Sequence, residues 1–151
     1  MRVVFFFKQY HSFSSLCVAK GDRLIMKHTV PIKKNNEFLR VYKKGKFYVG
    51  KYLVLYVLKN NLDINRLGIT VTRKIGKSVR RNRVKRLVRE CYRYYEEKLG
   101  KGYDLVFMAR ESERLPEYKD ILKEMKYLLK RLDIFSKNEK NEGEEEGNGE
   151  G

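Results

Sequence analysis

Between Arg73 and Arg93 the chain carries ten lysines and arginines against one acid, Glu90, for a net charge of +9. Arg81, Lys85 and Arg89 step by four, and Arg86, Arg89 and Arg93 by three and four, so on a helix these cations line up in stripes. Like charges at that spacing cost an isolated helix roughly 0.2–0.5 kcal/mol per pair, a cost that a bound polyanion relieves. The chemistry open to such a face is phosphate neutralisation, in which each contact releases condensed counterions and binding gains entropy. A face that only solubilises intersperses both signs; here the sign is nearly uniform, and the pattern points to nucleic acid. Gly76 breaks the chain ahead of the helix, so that a basic loop and a helix N-terminus could approach a phosphate backbone closely.

A second group of side chains could stack on bases. Phe38 and Tyr42 lie one helical turn apart, and Tyr52, Val54 and Tyr56 share one face of a strand. A base stacked on an aromatic ring is typically held by about 1–3 kcal/mol. The same spacing also suits ordinary core packing, and the residues alone leave both readings open. Catalytic groupings are absent: no Ser-His-Asp, Cys-His or paired-carboxylate arrangement is evident, and the conspicuous cations cannot hold Mg²⁺. Two cysteines, Cys17 and Cys91, and two histidines, His11 and His28, with no CxxC pair, lack the ligand spacing of a zinc finger or zinc ribbon.

The elements that would carry these groups follow from periodicity. Phe38, Val41 and Tyr42 recur at helical spacing up to Gly45, predicting a first helix over roughly Lys34 to Lys44. A short aromatic stretch, Phe47 to Val49, leads to a strand at Tyr52 to Leu58 that is apolar on both faces and closed by the turn-prone Lys59-Asn60-Asn61. Arg66 to Thr72 alternates as a half-buried strand. From Ser78 to Leu99 the period becomes helical, with Val84, Leu87, Val88, Cys91, Tyr95 and Leu99 in one stripe ended by Gly100 and Gly102. Tyr103 to Ala109 is again strand-like, and Ile121, Leu122, Met125, Leu128, Leu129 and Leu132 define a last amphipathic helix after Pro116.

The length of 151 residues suits one domain. Residues 137–151 hold two basic and six acidic residues, and removing that net −4 from the total of +16 leaves +20 on the rest, a field that favours a polyanionic partner. After Ser136 the chain is Glu, Gly, Asn and Lys, with too little apolar surface to offset ordering entropy, so an acidic tail without fixed structure is expected over 136–151. The longest apolar run, Tyr52 to Leu58, is far short of a membrane span. At the N-terminus the apolar run stops at Phe7, too early for a secretory signal. Met26 offers an alternative start, and residues 1–25 are expected to be a poorly ordered extension. Sparse cysteine suits a reducing cytoplasm.

Arg66, Gly68, Val71, Thr72-Arg73-Lys74, Gly76, Val79, Arg81-Asn82-Arg83, Lys85-Arg86 and Arg89-Glu90 together resemble the signature of the bacterial ribonuclease P protein family. Phe38, Tyr42 and Tyr56 also sit where that family places cleft aromatics, and the resemblance spans about residues 31 to 135. Ser78 departs from the family's usual alanine and suits a helix N-cap. The resemblance implies an α+β domain over 26–135, an α-β-β-β-α-β-α sandwich with a central, mostly antiparallel sheet. It further implies a left-handed β-α-β crossover where the generic rule is right-handed. Two RNA surfaces are implied. One, for the catalytic RNA, comprises Arg73, Lys74, Lys77, Arg80, Arg81, Asn82, Arg83, Lys85, Arg86 and Arg89; the other, a cleft for the single-stranded leader of precursor tRNA, comprises Phe38, Tyr42, Tyr52, Val54 and Tyr56. The implied activity is removal of the 5′ leader by a holoenzyme whose catalytic centre is RNA, with Mg²⁺ held by RNA and substrate, no catalytic residue in the protein and no membrane or zinc partner. Charge and size alone would equally suit a ribosomal or ribosome-assembly rRNA-binding protein. A DNA reader is disfavoured, because no helix-turn-helix partner or dimer-forming heptad accompanies the basic helix.

Overall fold

The computed structural model describes residues 26–137, so the expectations for residues 1–25 and for the tail from 138 onward lie outside the described residues. The elements run β1 (Thr29–Pro31), α1 (Asn35–Lys44), β2 (Lys46–Val49), β3 (Leu53–Lys59), β4 (Asn65–Val71), a 3₁₀ turn (Arg73–Ile75), α2 (Ser78–Glu96), β5 (Tyr103–Ala109) and α3 (Tyr118–Arg131). The α+β sandwich is the expected one, with β1 added before the first helix. One five-stranded sheet has the order β1-β4-β5-β3-β2. β1 and β5 each run parallel to β4, whereas β3 pairs antiparallel with β5 and β2 antiparallel with β3. The sheet is therefore evenly mixed rather than mostly antiparallel, because β1 supplies a parallel pairing that the sequence did not announce.

The doubly apolar pattern of β3 has a direct structural meaning. It lies inside the sheet, and each of its faces is covered by helix. On one face Leu53, Leu55 and Val57 join Leu67, Leu105 and Phe107 under α2 (Val84, Val88, Cys91, Tyr92) and α3 (Ile121, Met125, Leu128, Leu129). On the other, Val54, Tyr56 and Val106 join Ile32 and Val41, with Phe38 and Tyr42 of α1 packed against them. Cys91 is fully buried in the first cluster, its thiol donating to the Tyr118 carbonyl at 3.7 Å. Burial pushes that thiol up to about 12.

Three polar anchors lock the layers. The Glu124 carboxylate of α3 accepts the backbone N–H groups of Tyr52 and Leu53, each at 2.8 Å, tying α3 to the start of β3. Glu96, buried near the end of α2, accepts the N–H groups of Lys27 (3.2 Å) and His28 (2.8 Å) and holds the chain where it enters β1. Asp104 of β5 is fully buried. It accepts Arg66 Nε at 2.7 Å, Asn60 Nδ2 at 2.9 Å, Arg40 Nη2 at 3.2 Å and Arg66 Nη2 as well. Arg66 reaches on to Glu37 of α1 at 2.7 Å. Burial alone would raise the Asp104 carboxyl, but the bonds from Arg66 and Asn60 outweigh it and hold the group below its ordinary 3.8.

Two residues along β4 from Arg66, Gly68 leaves room for a ring: a Cβ there would run into Phe38 of α1. Gly68→Ala should therefore cost about 1–3 kcal/mol by overpacking, read as a lower urea midpoint with an unchanged slope. Asp104→Asn should cost about 3–5 kcal/mol, since it strands buried guanidinium charge. Because the folded-state carboxyl is depressed, its contribution is present above about pH 3.8 and is lost as pH falls through the lower folded value. Urea titrations across pH 2–5 should show less acid sensitivity in Asp104→Asn than in the parent chain.

Candidate nucleic-acid interface

The Arg73–Ile75 turn and α2 display most of the sequence-predicted cations outward. Arg73, Lys74, Lys77, Arg80, Asn82, Arg83 and Arg86 are exposed, wholly or in part, as are Arg81 and Arg89 at the edges of the face. Arg80, Arg83 and Arg86 form no ion pair with a described residue. Gly76 adopts φ +134°, a conformation L side chains avoid, and lets the turn pass directly into α2. The N-cap is Lys77, and no side chain caps the helix; Ser78, the expected cap, is its first residue instead. The first N–H groups of α2 thus add partial positive charge to the side-chain cations around them. Val79 stands 79% exposed among these charges, an apolar contact point that periodicity does not flag.

Lys85 is a correction. It is 4% exposed, aligned with Val88 and Tyr92 along the side of α2 that faces the sheet, and its stem is part of the packing. It does not belong to the solvent-facing set. The i, i+4 spacing places it in a cationic stripe, but the apolar seam is wide enough to include it.

On the opposite face of the sheet, α1 and β2 frame an aromatic shelf. Tyr42 meets Tyr56 edge-on, with ring centroids 4.8 Å apart, and its hydroxyl lies 3.1 Å from Thr70 Oγ1. Phe47 leans over Tyr56 at 5.5 Å. The pairing register sets Phe47 beside Tyr56, and lines up Val49, Val54, Met108 and Thr70 as the next row across the sheet. Tyr56 and Val54 are themselves buried, and burial pushes the Tyr56 phenol up. Phe38 is half-buried on Gly68. What a strand of bases would touch first is the rim, Phe47 at 58% and Val49 at 47% exposed, neither of which is among the sequence-predicted site residues. Continuing the pleat from β3 into its hairpin partner would have found them.

Tyr52 is a second correction. It precedes β3 in a bend where strand alternation does not apply, its N–H is held by Glu124, and its ring packs with the α3-side cluster. It lies away from the shelf. The two surfaces meet at the C-terminal end of β4, where Thr70 borders the shelf and the basic turn begins three residues later at Arg73.

Arg80→Ala, Arg83→Ala and Arg86→Ala should each weaken binding to structured RNA and lower the salt slope by about 0.7–0.9 for each phosphate no longer neutralised. Anisotropy titrations over a salt series would read this, with urea midpoints unchanged. Lys85→Ala should show the reverse pattern, a stability loss of about 0.5–3 kcal/mol with an unaltered salt slope.

Comparison with known proteins gives one consistent family. The family model described as Ribonuclease P matches residues 26–133. The chain is 50% identical over 107 residues to the ribonuclease P protein component of Clostridioides difficile (strain 630), covering 70% of this chain and 94% of that protein. It is 53% identical over 106 residues to that of Clostridium botulinum (strain Langeland), covering 70% and 96%. Among solved structures it resembles the RNase P protein of Staphylococcus aureus (TM-score 0.65, 33% identity, 70% of this chain and 97% of that one). The corresponding protein of Thermotoga maritima matches with TM-score 0.61 and 37% identity, over 67% of this chain and 96% of that one.

Proposed function

The chain belongs to the ribonuclease P protein family, and from that premise we propose that it is the RNA-binding subunit of a holoenzyme that removes the 5′ leader from precursor tRNA. Family membership sets aside the ribosomal alternative. In this reading the exposed cations of the Arg73–Ile75 turn and α2 engage the catalytic RNA, and the shelf of Phe47, Val49, Tyr42 and Tyr56 receives the unpaired leader. The observation that carries it is the junction at the end of β4, where a cationic surface and an aromatic surface adjoin on one strand. A leader leaving the shelf would pass straight into a region of positive potential.

Chemistry is assigned to the RNA. Among the described residues no cluster of three or more His, Cys, Asp or Glu side chains could hold a metal ion. The buried carboxylates have other work: Asp104 accepts guanidinium and amide donors, and Glu124 accepts backbone N–H groups. In this reading Mg²⁺ is held by RNA and substrate, and these carboxylates keep their structural roles. The protein's part is then to lower the repulsion between two polyanions and to hold the leader in register.

Reconstituted cleavage of precursor tRNA, with and without the protein at limiting Mg²⁺, tests the reading; the protein should lower the Mg²⁺ requirement, and no change would remove it. Phe47→Ala should weaken precursor binding by about 1–3 kcal/mol, the typical worth of one stacked base, and leave mature tRNA binding unaltered. Equal losses for both RNAs would take the leader away from the shelf.

A further inference from the structure

We infer that the acidic segment 138–151 docks on the exposed arginines of α2 and competes there with RNA. That segment carries six glutamates and one lysine, a net −5, with Glu144, Glu145 and Glu146 contiguous. It lies beyond the family match, which ends at residue 133. Its point of departure is fixed: the Ser136 N–H donates to the Lys98 carbonyl at 2.9 Å, and Leu99 bridges Phe135, so the chain leaves the fold beside the C-terminal end of α2. Counting back along the helix at ~1.5 Å per residue, Arg86 is about 18 Å away and Arg80 about 27 Å. Fourteen residues can span up to about 46–50 Å, so every exposed arginine of that face is within reach.

The face is complementary and available. Arg80, Arg83 and Arg86 form no ion pair with any described residue. Tethering places the glutamates at millimolar effective concentration, so contacts too weak to matter between separate molecules suffice within one chain. Such an occupant would be displaced by an RNA that also engages the basic turn and the shelf, and would hold off polyanions that offer phosphates alone. Competition rests on α2 being an RNA surface, as proposed above; docking does not.

The test uses the full chain with a spin label at Gly149→Cys in a Cys17→Ser background, Cys91 being buried. Amide signals between residues 80 and 93 should broaden selectively at about 0.1 M salt and recover at about 1 M. They should also recover in Glu144→Gln/Glu145→Gln/Glu146→Gln. That variant should bind a short unrelated RNA duplex roughly three- to tenfold more tightly than the parent, with the gap closing as salt rises. Broadening that is absent, spread evenly, or directed to the lysines of α3 overturns docking. Equal duplex affinity overturns competition. Failure of the cleavage assay with these results intact would remove only the subunit role.

Discussion

The fold turns on one carboxylate kept away from water. Asp104 would be costly to bury by itself, and it is stable in place only because Arg66, Arg40 and Asn60 converge on it. Those partners come from β4, α1 and the β3–β4 turn, so the group is a joint as much as a contact. Arg66 extends the joint to Glu37 at the start of α1. With α1 held at this end, Phe38 seats on Gly68, and Tyr42 is carried one turn further to meet Tyr56 and Thr70. The aromatic shelf is thus positioned by an ion-pair network that contributes no ring to it.

α2 answers two demands with one helix. Its inner side supplies Val84, Val88, Cys91 and Tyr92 to the core, and its outer side supplies cations to solvent. The self-repulsion of those cations is tolerable because the inner seam, anchored also through Glu96 and through the Tyr92–Thr29 hydroxyl contact at 3.0 Å, holds the helix whatever the outer face experiences. An interface built on a packed scaffold can be strongly charged without being loose.

Much of this is legible in the residues, and the failures are instructive. Long periodic segments, α2 and β4 above all, are readable because burial on one side imposes a repeat that charge on the other does not disturb. β1 escapes because three residues, one of them Pro31, carry no repeat; its place comes from pairing with a strand that follows thirty-odd residues later. Tyr52 goes to the wrong face when alternation is extended through a bend that ends it. Ser78 has good capping chemistry, but the turn enters the helix one residue earlier, at Lys77. Lys85 looks like its neighbours in charge, and only the width of the buried seam distinguishes it. Phe47 and Val49 become visible as rim residues once the hairpin register is known. What β1, Lys85 and the rim have in common is dependence on partners distant along the chain.

The burial of Cys91 has a practical corollary. With its thiol raised to about 12 and sealed between α2 and α3, it is almost wholly protonated at neutral pH and unreachable by alkylating reagents while the helices stay closed. Its modification rate is therefore a clock for how often that helix pair opens. The molecule carries its own native-state probe of breathing, placed beneath the same helix that displays the arginines.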